Sequence, residues 1–386
     1  MPAGMLTMPH STLLVIGPDN MRQAALTAAF APFGTTVVVD LEMPGFNRSA
    51  LQDWAGKGAP EVNLILVTSL ETIGRGHMQV ALSAIPPELR AGVPVVFAMR
   101  GPSALEHIRA TMSGASEIID TRCSPEDIAA RCHVLIELER DRRMLAAAGA
   151  SEITLRGLLD AAGNGAPLDL EQTERTAGLM LDATRKDGVG RWMTTVAQFH
   201  DQTYRHSLLM AGIMAGFMVA LGVGTRDSRR MTSAAMVHDV GKALLPPALL
   251  DKPARLTEEE FTLVKKHPIW GYDMLRAQGE ADPMLLSVTR HHHEMLDGSG
   301  YPDGLSASAI SDHVRIATIC DIFTALVEPR SYKACLSAED ALVRLQDMGD
   351  KLDPDLLRIF ETQFLPQVPG IPLKCPAEIP DTAISA

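Results

Sequence analysis

Short apolar runs alternate with stretches of helical periodicity through roughly the first 150 residues. The runs are TLLVIG (12–17), TTVVVD (35–40), VNLILV (62–67), VPVVFA (93–98) and SEIID (116–120). Apolar runs of this length are typical of buried strands, and their alternation with helices is typical of a parallel sheet. The pattern therefore predicts an α/β domain with a five-stranded parallel sheet.

A helix is predicted after the last strand. Ser124 and Pro125 suit the N-cap and the first helical position, and the periodicity continues to about Ala148. Apolar residues recur at heptad-like spacing, at Ile128, Leu135, Leu138 and Leu145. Two interpretations stay open. The helix either passes toward a second domain or pairs with a second copy of the chain, or it is an amphipathic helix packed on its own sheet.

The rest of the chain has a helical pattern. From about Leu170 long amphipathic stretches follow one another, and the preceding AGNGAPLD (162–169) is the predicted flexible break. A chain of 386 residues is also longer than one hydrophobic core normally organises. We predict a multi-domain protein with an α/β domain and connecting helix at 10–148, a linker at 149–169 and an all-α domain at 170–386.

One apolar segment reaches the lower length limit of a membrane span. Residues 208–224 carry no charge, and a bilayer requires roughly 17 to 25 such residues. The segment contains four glycines, lacks flanking aromatic residues and begins two residues after His206. We therefore predict a buried helix and no membrane span.

Composition limits the classes of partner that the chain is expected to bind. Hydrophobic residues make up 46% of the chain but aromatic residues only 4%, so the cores must be mainly aliphatic. A formal net charge of −12 argues against binding to nucleic-acid polymers or anionic membranes, and any phosphate substrate would need local cations. Five cysteines without CxxC spacing, and no secretory signal pattern at the start, predict a reducing, cytoplasmic location.

Histidines concentrate in the second half of the chain. Eight of the twelve fall between His200 and His313, and two strings stand out, HDVGK (238–242) and HHHEMLDGSGYPDGL (291–305). A lone histidine more often packs or forms hydrogen bonds than binds metal. Imidazoles and carboxylates brought together bind first-row transition metals, so the clustering predicts a metal site.

These strings resemble the HD-GYP family, a branch of the HD metal-dependent phosphohydrolases whose members hydrolyse the second messenger cyclic di-GMP. The resemblance covers about residues 190–386 and adds KKHPIWG (265–271) and DIFTALVEPRSYK (321–333). It implies a phosphodiesterase that opens cyclic di-GMP to pGpG, GMP or both. Two other functions stay open: an HD phosphohydrolase acting on another nucleotide, and a catalytically silent module that binds nucleotide or partner proteins.

The resemblance also implies the metal ligands and the role of the metal. The implied ligands are His206, His238, Asp239, His267, His292, His293 and Asp321. Asp239 would bridge two ions about 3.5 to 4 Å apart, and a hydroxide shared by them would attack phosphorus in line. His291 lies outside the family pair and is predicted to be a helix-face residue near the site.

Three basic residues are the predicted contacts to substrate phosphate. Lys242 lies three residues after Asp239, on the same face if the helix continues, so its ammonium can stabilise developing charge. Arg330 and Lys333 match basic positions of the family segment that contacts substrate. The family gives the DGSGYP loop (297–302) structural and partner-contact roles, and no catalysis is assigned to Tyr301.

Departures from the family pattern limit the metal count. Gln202 stands where some members place a glutamate that can hold a third ion, so we predict two divalent ions. Iron or manganese follows from the family, and the donor set also suits nickel or zinc. Thr324 replaces a common aspartate and Ser331 a proline; neither is a predicted ligand.

The N-terminal domain has a second resemblance. GASEIIDTRCSPEDIAARCHVLIEL (114–138) is similar to the end of a response-regulator receiver, which agrees with flavodoxin-like winding of the sheet. Receivers carry a phosphorylated Asp after the third strand, yet the third predicted strand here ends in Val67-Thr68. We predict a degenerate receiver used for contacts. The alternative is phosphorylation at Asp40, because DLEMPG (40–45) has the spacing that follows a receiver phosphoacceptor, although only two strands precede it.

Overall fold

The computed structural model describes residues 11–16, 21–39, 62–68, 85, 87–90, 92–199, 202–250, 252, 254–279, 282–328 and 335–368. The chain divides into two compact units, and the division falls between Arg142 and Arg143. The first unit carries the strands and the second carries the histidine-rich helices. The domain limits given above, including the linker, stay predictions.

The first unit contains the predicted five-stranded parallel sheet. Its strands are β1 (Ser11–Ile16), β2 (Gly34–Val39), β3 (Leu64–Val67), β4 (Val95–Met99) and β5 (Glu117–Asp120). They lie in the order β2-β1-β3-β4-β5, and every neighbouring pair is parallel. This order is that of flavodoxin-like folds, so the predicted fold class is confirmed. The described helices of this unit are α1 (Met21–Phe30), α2 (Pro87–Arg90) and α3 (Ala104–Met112).

The carboxyl ends of the strands agree with a degenerate receiver. Thr68 follows β3 and donates its hydroxyl to the carbonyl oxygen of Ile16 at 3.4 Å. At the end of β5, Asp120 accepts a hydrogen bond from the backbone N–H of Gly101 at 3.1 Å and pairs with Arg122. Thr68 therefore stands where a receiver carries its phosphoacceptor. The alternative at Asp40 lies outside the described residues.

The helix after the sheet is longer than predicted. Helix α4 runs from Pro125 to Gly163, past the predicted end near Ala148 and through most of the predicted linker. Its later residues remain helical because Leu155, Leu158 and Ala162 are buried in the core of the helical unit. The helix ends where glycine, asparagine and proline begin, inside the predicted break at 162–169.

The heptad-like residues of α4 do not share one environment. Ile128 and Leu135 pack in the core on one face of the sheet, whereas Leu138 and Leu145 are 59% and 57% exposed. Packing on the sheet explains the first pair and leaves the second pair unexplained.

The second unit is all-helical beyond α4, as predicted. Its α-helices are α5 (Leu170–Asp187), α6 (Val189–Val196), α7 (Gln202–Ala220), α8 (Thr225–Val237), α9 (Pro247–Leu250), α10 (Glu258–Val264), α11 (His267–Ala277), α12 (Pro283–His291), α13 (Asp312–Val327), α14 (Ala338–Gln346) and α15 (Pro354–Ile359). Single turns complete it, at Val240–Leu244, Ala307–Ala309, Gly349–Lys351 and Leu365–Gln367, with a π-helical turn at Phe360–Phe364.

Helix α7 is the central helix of this unit. Most of its apolar residues, including Leu208, Met210, Ile213 and Phe217, are fully buried in the main core. The uncharged segment at 208–224 is therefore core-forming, as predicted, and it carries His206 near its beginning. Among the described helices, none combines the length and the apolarity that crossing a bilayer requires.

Candidate metal centre

The predicted ligands come from five elements that converge in the helical unit. His206 lies on α7, His238 ends α8, His267 begins α11, and Asp321 lies on α13. His292 and His293 follow directly after α12, and Asp239 precedes the turn Val240–Leu244. Residues far apart in the chain thus meet because the helices pack side by side around α7.

The structure brings all seven predicted ligands into two groups. In each group the candidate donor atoms lie within 4.8 Å of one another. The first group is Asp239, His267, His292 and His293, and the second is His206, His238 and Asp321. This donor set suits divalent transition-metal ions.

Asp239 stands between the groups. Its Oδ1 lies 3.0 Å from His267 Nε2 and 3.7 Å from His292 Nε2, both of the first group. Its Oδ2 lies 3.2 Å from His238 Nε2 and 3.9 Å from His206 Nε2, both of the second group. One carboxylate therefore presents one oxygen to each group, as a bridging ligand would.

Backbone hydrogen bonds orient three of the imidazoles. The Nδ1–H groups of His238, His267 and His292 donate to the carbonyl oxygens three or four residues before them, at 2.7, 2.8 and 3.0 Å. When Nδ1 of a neutral imidazole carries the proton, Nε2 carries a lone pair that can bind a metal ion. In all three residues Nε2 is the nitrogen that faces Asp239. The three rings are therefore held in the tautomer that a metal ion requires.

Buried polar atoms without partners test whether metal ions fit. His238 is 0% and Asp239 5% exposed, and within the described part of the chain neither His238 Nε2 nor Asp239 Oδ1 has a hydrogen-bond partner. Leaving buried polar atoms unpaired is costly, and a cation between them would remove that cost. The residues present thus fit divalent metal ions.

The charges of the site favour metal binding at most of its ligands. Burial would raise the pKa of Asp239, but the charges of His238 and Lys242 hold it well below its usual range. Burial lowers the pKa of His293 to about 3 and lowers that of His292 as well. Metal ligands must be deprotonated, so these three residues are ready to bind.

His206 lies between two carboxylates. Its Nε2 is 3.0 Å from Asp321 Oδ1, and its Nδ1 is 3.3 Å from Glu328 Oε2. Burial would lower its pKa, but the hydrogen bonds with Asp321 and Glu328 raise it to about 9. A carboxylate on the far nitrogen of a ligating histidine fixes the ring and increases its basicity. Glu328, which is 2% exposed, therefore positions His206.

Sequence reasoning missed Glu328. The chain offers a weak signal, because Glu328 lies one helical turn after Thr324, where the family commonly has an aspartate. The Thr324 hydroxyl instead donates to the carbonyl oxygen of Cys320 at 2.6 Å. Glu328 thus supplies a carboxylate near His206 that Thr324 does not.

The DGSGYP loop is tied to the His-His-Glu segment. Glu294 is 1% exposed and accepts hydrogen bonds from the backbone N–H groups of Asp303, Gly304 and Leu305 at 2.7, 3.0 and 3.0 Å. The Tyr301 ring stacks on His293 with ring centres 4.7 Å apart. The loop therefore covers a predicted ligand from outside, in agreement with a structural role.

His291 lies apart from both donor groups. Its Nε2 is 2.9 Å from Asp303 Oδ2, and the Arg290 guanidinium donates to both carboxylate oxygens of Asp303 at 2.7 and 2.9 Å. The contact with Asp303 places His291 at the base of the loop. This position agrees with the predicted role beside the site.

Of the predicted phosphate contacts, the structure describes only Lys242. Its ammonium pairs with Asp239 Oδ2, and its side chain is 25% exposed, so it borders both the donor groups and solvent. Arg330, Lys333 and Ser331 lie outside the described residues, as does the side chain of Gln202. Their assignments stay predictions.

Gly241 is a position beside the site that has no space for a side chain. A Cβ there would lie 2.0 Å from the carbonyl oxygen of His267 and 2.6 Å from the amide nitrogen of Gly271. We expect Gly241→Ala to push α11 and His267 away from Asp239, because backbone atoms cannot yield as a flexible side chain can. Unfolding by urea should show a loss of about 1–3 kcal/mol, and metal titration a lower affinity.

Gly157→Ala is the matched control for Gly241→Ala. Gly157 lies within α4, and a Cβ there meets nothing within 4 Å. Alanine should stabilise the helix by about 0.5–1 kcal/mol. If Gly241→Ala behaved like Gly157→Ala in both measurements, the close contact between Gly241 and α11 would be disproved.

Comparison with known proteins agrees with the motifs. Residues 191–356 match the model of a family described as HD domain. The structure of Bd1817, an HDG"Y"P protein from Bdellovibrio bacteriovorus, is 16% identical, with a TM-score of 0.47 over 61% of this chain and 79% of that one.

Curated relatives match part of the chain. The cyclic di-GMP phosphodiesterase PA4108 of Pseudomonas aeruginosa is 34% identical over 160 residues, which are 42% of this chain and 39% of that protein. The cyclic di-GMP phosphodiesterase response regulator RpfG of Xanthomonas campestris is 38% identical over 147 residues, 38% of each protein. A 3'3'-cGAMP-specific phosphodiesterase of Vibrio cholerae is 32% identical over 141 residues, 36% of this chain and 32% of that protein.

These matches span less than half of each relative's length. They confirm the resemblance that the motifs indicate, with an HD domain similar to those of cyclic dinucleotide phosphodiesterases.

Proposed function

We propose that this chain is a metal-dependent phosphodiesterase that hydrolyses cyclic di-GMP to pGpG, GMP or both. The observation that carries the proposal is the position of Asp239, with one carboxylate oxygen toward each donor group and Lys242 against it. Two of the matched relatives bear the name of cyclic di-GMP phosphodiesterases. Geometry thus supports the reaction class, and similarity supports the substrate.

The donor residues would hold two divalent ions, with Asp239 shared between them. Such ions supply Lewis-acid charge at phosphoryl oxygens and lower the pKa of bound water. The chain supplies the orientation, because the backbone carbonyls behind His238 and His292, and Glu328 behind His206, fix the rings. His238, His267 and His292 are buried, whereas the Lys242 side chain is a quarter exposed and borders solvent.

Lys242 has the first role in binding the substrate phosphate. Its ammonium lies at the exposed side of Asp239, where it can pair with a phosphate oxygen and stabilise charge that develops there. Arg330 and Lys333 would add a planar guanidinium and a second ammonium to the phosphates. Local cations of this kind would offset the net charge of −12, which otherwise repels an anionic substrate.

Iron or manganese is the proposed metal. Five histidine rings and two carboxylates lie in the two groups, a mixture that suits several first-row ions, so availability decides among them more than intrinsic affinity does. Nickel and zinc are the competing ions. Aerobic and anaerobic purification followed by elemental analysis would distinguish a bound ferrous centre from a manganese centre.

The proposed location and partners follow from the cysteines, the DGSGYP loop and two exposed leucines. Among the described residues, Cys123, Cys132 and Cys320 form no disulfide, which supports a reducing cytoplasm. The DGSGYP loop is the proposed contact for other signalling domains, and the exposed Leu138 and Leu145 support pairing with a second copy of the chain.

A substrate panel tests the proposed function. Protein loaded with ferrous iron or manganese would be given cyclic di-GMP, 3'3'-cGAMP, cyclic di-AMP, pGpG and a phosphate monoester, and products would be separated by chromatography. We expect cyclic di-GMP to be cleaved fastest, and chelation to stop the reaction. Cleavage of another nucleotide while cyclic di-GMP survives would refute the substrate, and full metal loading without any cleavage would indicate a silent binding module.

A further inference from the structure

A cleft opens beside the metal centre, on the side of Lys242. It encloses about 390 Å³, and its wall includes Leu159, Asp160, Asn164, Tyr204, Lys242 and Leu245. We call this space the Lys242 cleft. Its volume falls within the range of small-molecule sites, roughly 300–1,000 Å³.

The Lys242 cleft is continuous with the site already described. Lys242 forms part of its wall and pairs with Asp239, so a ligand whose phosphate reaches Lys242 extends from there into the cleft. The opposite wall is the last part of α4, which packs into the core of the helical unit through Leu155, Leu158 and Ala162. A phosphate bound at the metal centre thus has space beside it for the rest of a nucleotide.

The wall of the Lys242 cleft has an apolar part and a polar part. Leu159, Leu245 and Tyr204 supply the apolar part, and the guanidinium of Arg156 lies 5.2 Å from the centre of the Tyr204 ring. Apolar walls with a few polar groups are the usual environment of a bound base.

The polar part of the wall comes from one face of α4. Asp160 and Asn164 are one helical turn apart, and the Asn164 side-chain amide donates to the carbonyl oxygen of Asp160 at 2.9 Å. Asn164 Oδ1 and the Asp160 carboxylate thereby remain as hydrogen-bond acceptors at the cleft. The polar groups that α4 contributes to this wall are therefore acceptors, and they suit a ligand edge that carries donors.

We propose that the Lys242 cleft binds a guanine base of the cyclic dinucleotide and that the Asp160 carboxylate accepts hydrogen bonds from N1–H and the exocyclic amino group of guanine. This proposal rests on the proposed function and adds the residue that selects the base. Guanine presents two adjacent donors on that edge. Adenine presents an unprotonated N1 there, whose lone pair would face the carboxylate.

Selection by Asp160 should favour guanine strongly. A site built to accept hydrogen bonds rejects an analogue that lacks the donors, because its polar groups are then left unpaired. We expect the value of kcat/KM for cyclic di-GMP to exceed that for cyclic di-AMP in the wild type, chiefly through KM. Asp160 belongs to neither donor group, so metal content should be independent of Asp160.

The test compares Asp160→Ala with Asp182→Asn. Asp160 is an exposed helical residue, so alanine should leave the fold intact, and Asp182 is an exposed residue of α5 outside the cleft. Steady-state rates on cyclic di-GMP and cyclic di-AMP, metal content and thermal unfolding would be measured for the wild type and both variants. We expect Asp160→Ala to raise KM for cyclic di-GMP about tenfold to a hundredfold, to narrow the preference over cyclic di-AMP because no carboxylate then opposes adenine, and to leave metal content unchanged.

The outcomes separate the two proposals. If the wild type cleaves cyclic di-GMP and Asp160→Ala does so with an unaltered KM, as Asp182→Asn should, the guanine assignment is refuted and the proposed function stands. A loss in kcat together with metal content would also refute it, because Asp160 would then act on the metal centre. If the metal-loaded wild type cleaves no cyclic dinucleotide, the proposed function itself fails.

Discussion

Replacing Asp239 with alanine should remove both metal and activity. Each oxygen of this carboxylate faces one donor group, so its loss would take a shared ligand from both ions and remove the carboxylate that the buried His267 and His292 face. Altering residues that only support metal ligands already costs 10–100-fold, so loss of a shared ligand should lower kcat/KM by at least about a thousandfold. Elemental analysis and cyclic di-GMP hydrolysis would be measured on the same preparations.

Two variants accompany Asp239→Ala. Asp239→Asn keeps the shape of the side chain and removes its charge, so it should fold as the wild type does while still failing to hold both ions. Asp312→Asn is the matched control, because the Asp312 side chain is 85% exposed in the first turn of α13. Full metal content or undiminished hydrolysis in Asp239→Ala would contradict the bridging assignment.

Replacing Lys242 with glutamine should separate catalysis from metal binding. The ammonium lies against Asp239 and is a quarter exposed, a position from which it reaches substrate phosphate without being a metal ligand. Removing one preorganised group that stabilises transition-state charge costs about 10²–10³ in kcat. We therefore expect kcat to fall by about a hundredfold or more, while elemental analysis shows the metal content of the wild type.

Lys351→Gln is the control for Lys242→Gln. Lys351 is an exposed lysine in the turn Gly349–Lys351, away from the donor groups. It should retain both metal and activity. A Lys242→Gln protein that turned over at the wild-type rate would show that the ammonium only balances the charge of Asp239.

The sequence predicts the sheet well because its strands are buried on both faces. Continuous apolar runs such as LLVI and VVFA identify such strands without any knowledge of the tertiary fold. The end of α4 depends on tertiary packing more than on the local sequence. Nothing between Ala148 and Gly163 favours helix over linker strongly, and burial of Leu155 and Leu158 by other helices is what keeps this stretch helical.

The site likewise contains some residues that the sequence reveals and others that only the tertiary fold reveals. The sequence reveals the polar pairs His238-Asp239 and His292-His293. Such pairs are unusual within an otherwise apolar helical pattern. Glu328 and Asp160 are isolated acidic residues in the sequence, and each is common on a helix surface. Only tertiary packing brings Glu328 against His206 and places Asp160 in the wall of the Lys242 cleft.

Anomalous diffraction from crystals of the manganese-loaded protein tests the central claim most directly. We predict two peaks about 3.5–4 Å apart, one beside His267, His292 and His293, the other beside His206, His238 and Asp321, with Asp239 contacting both. A single peak at saturating manganese, or peaks away from these residues, would contradict a two-metal centre bridged by Asp239.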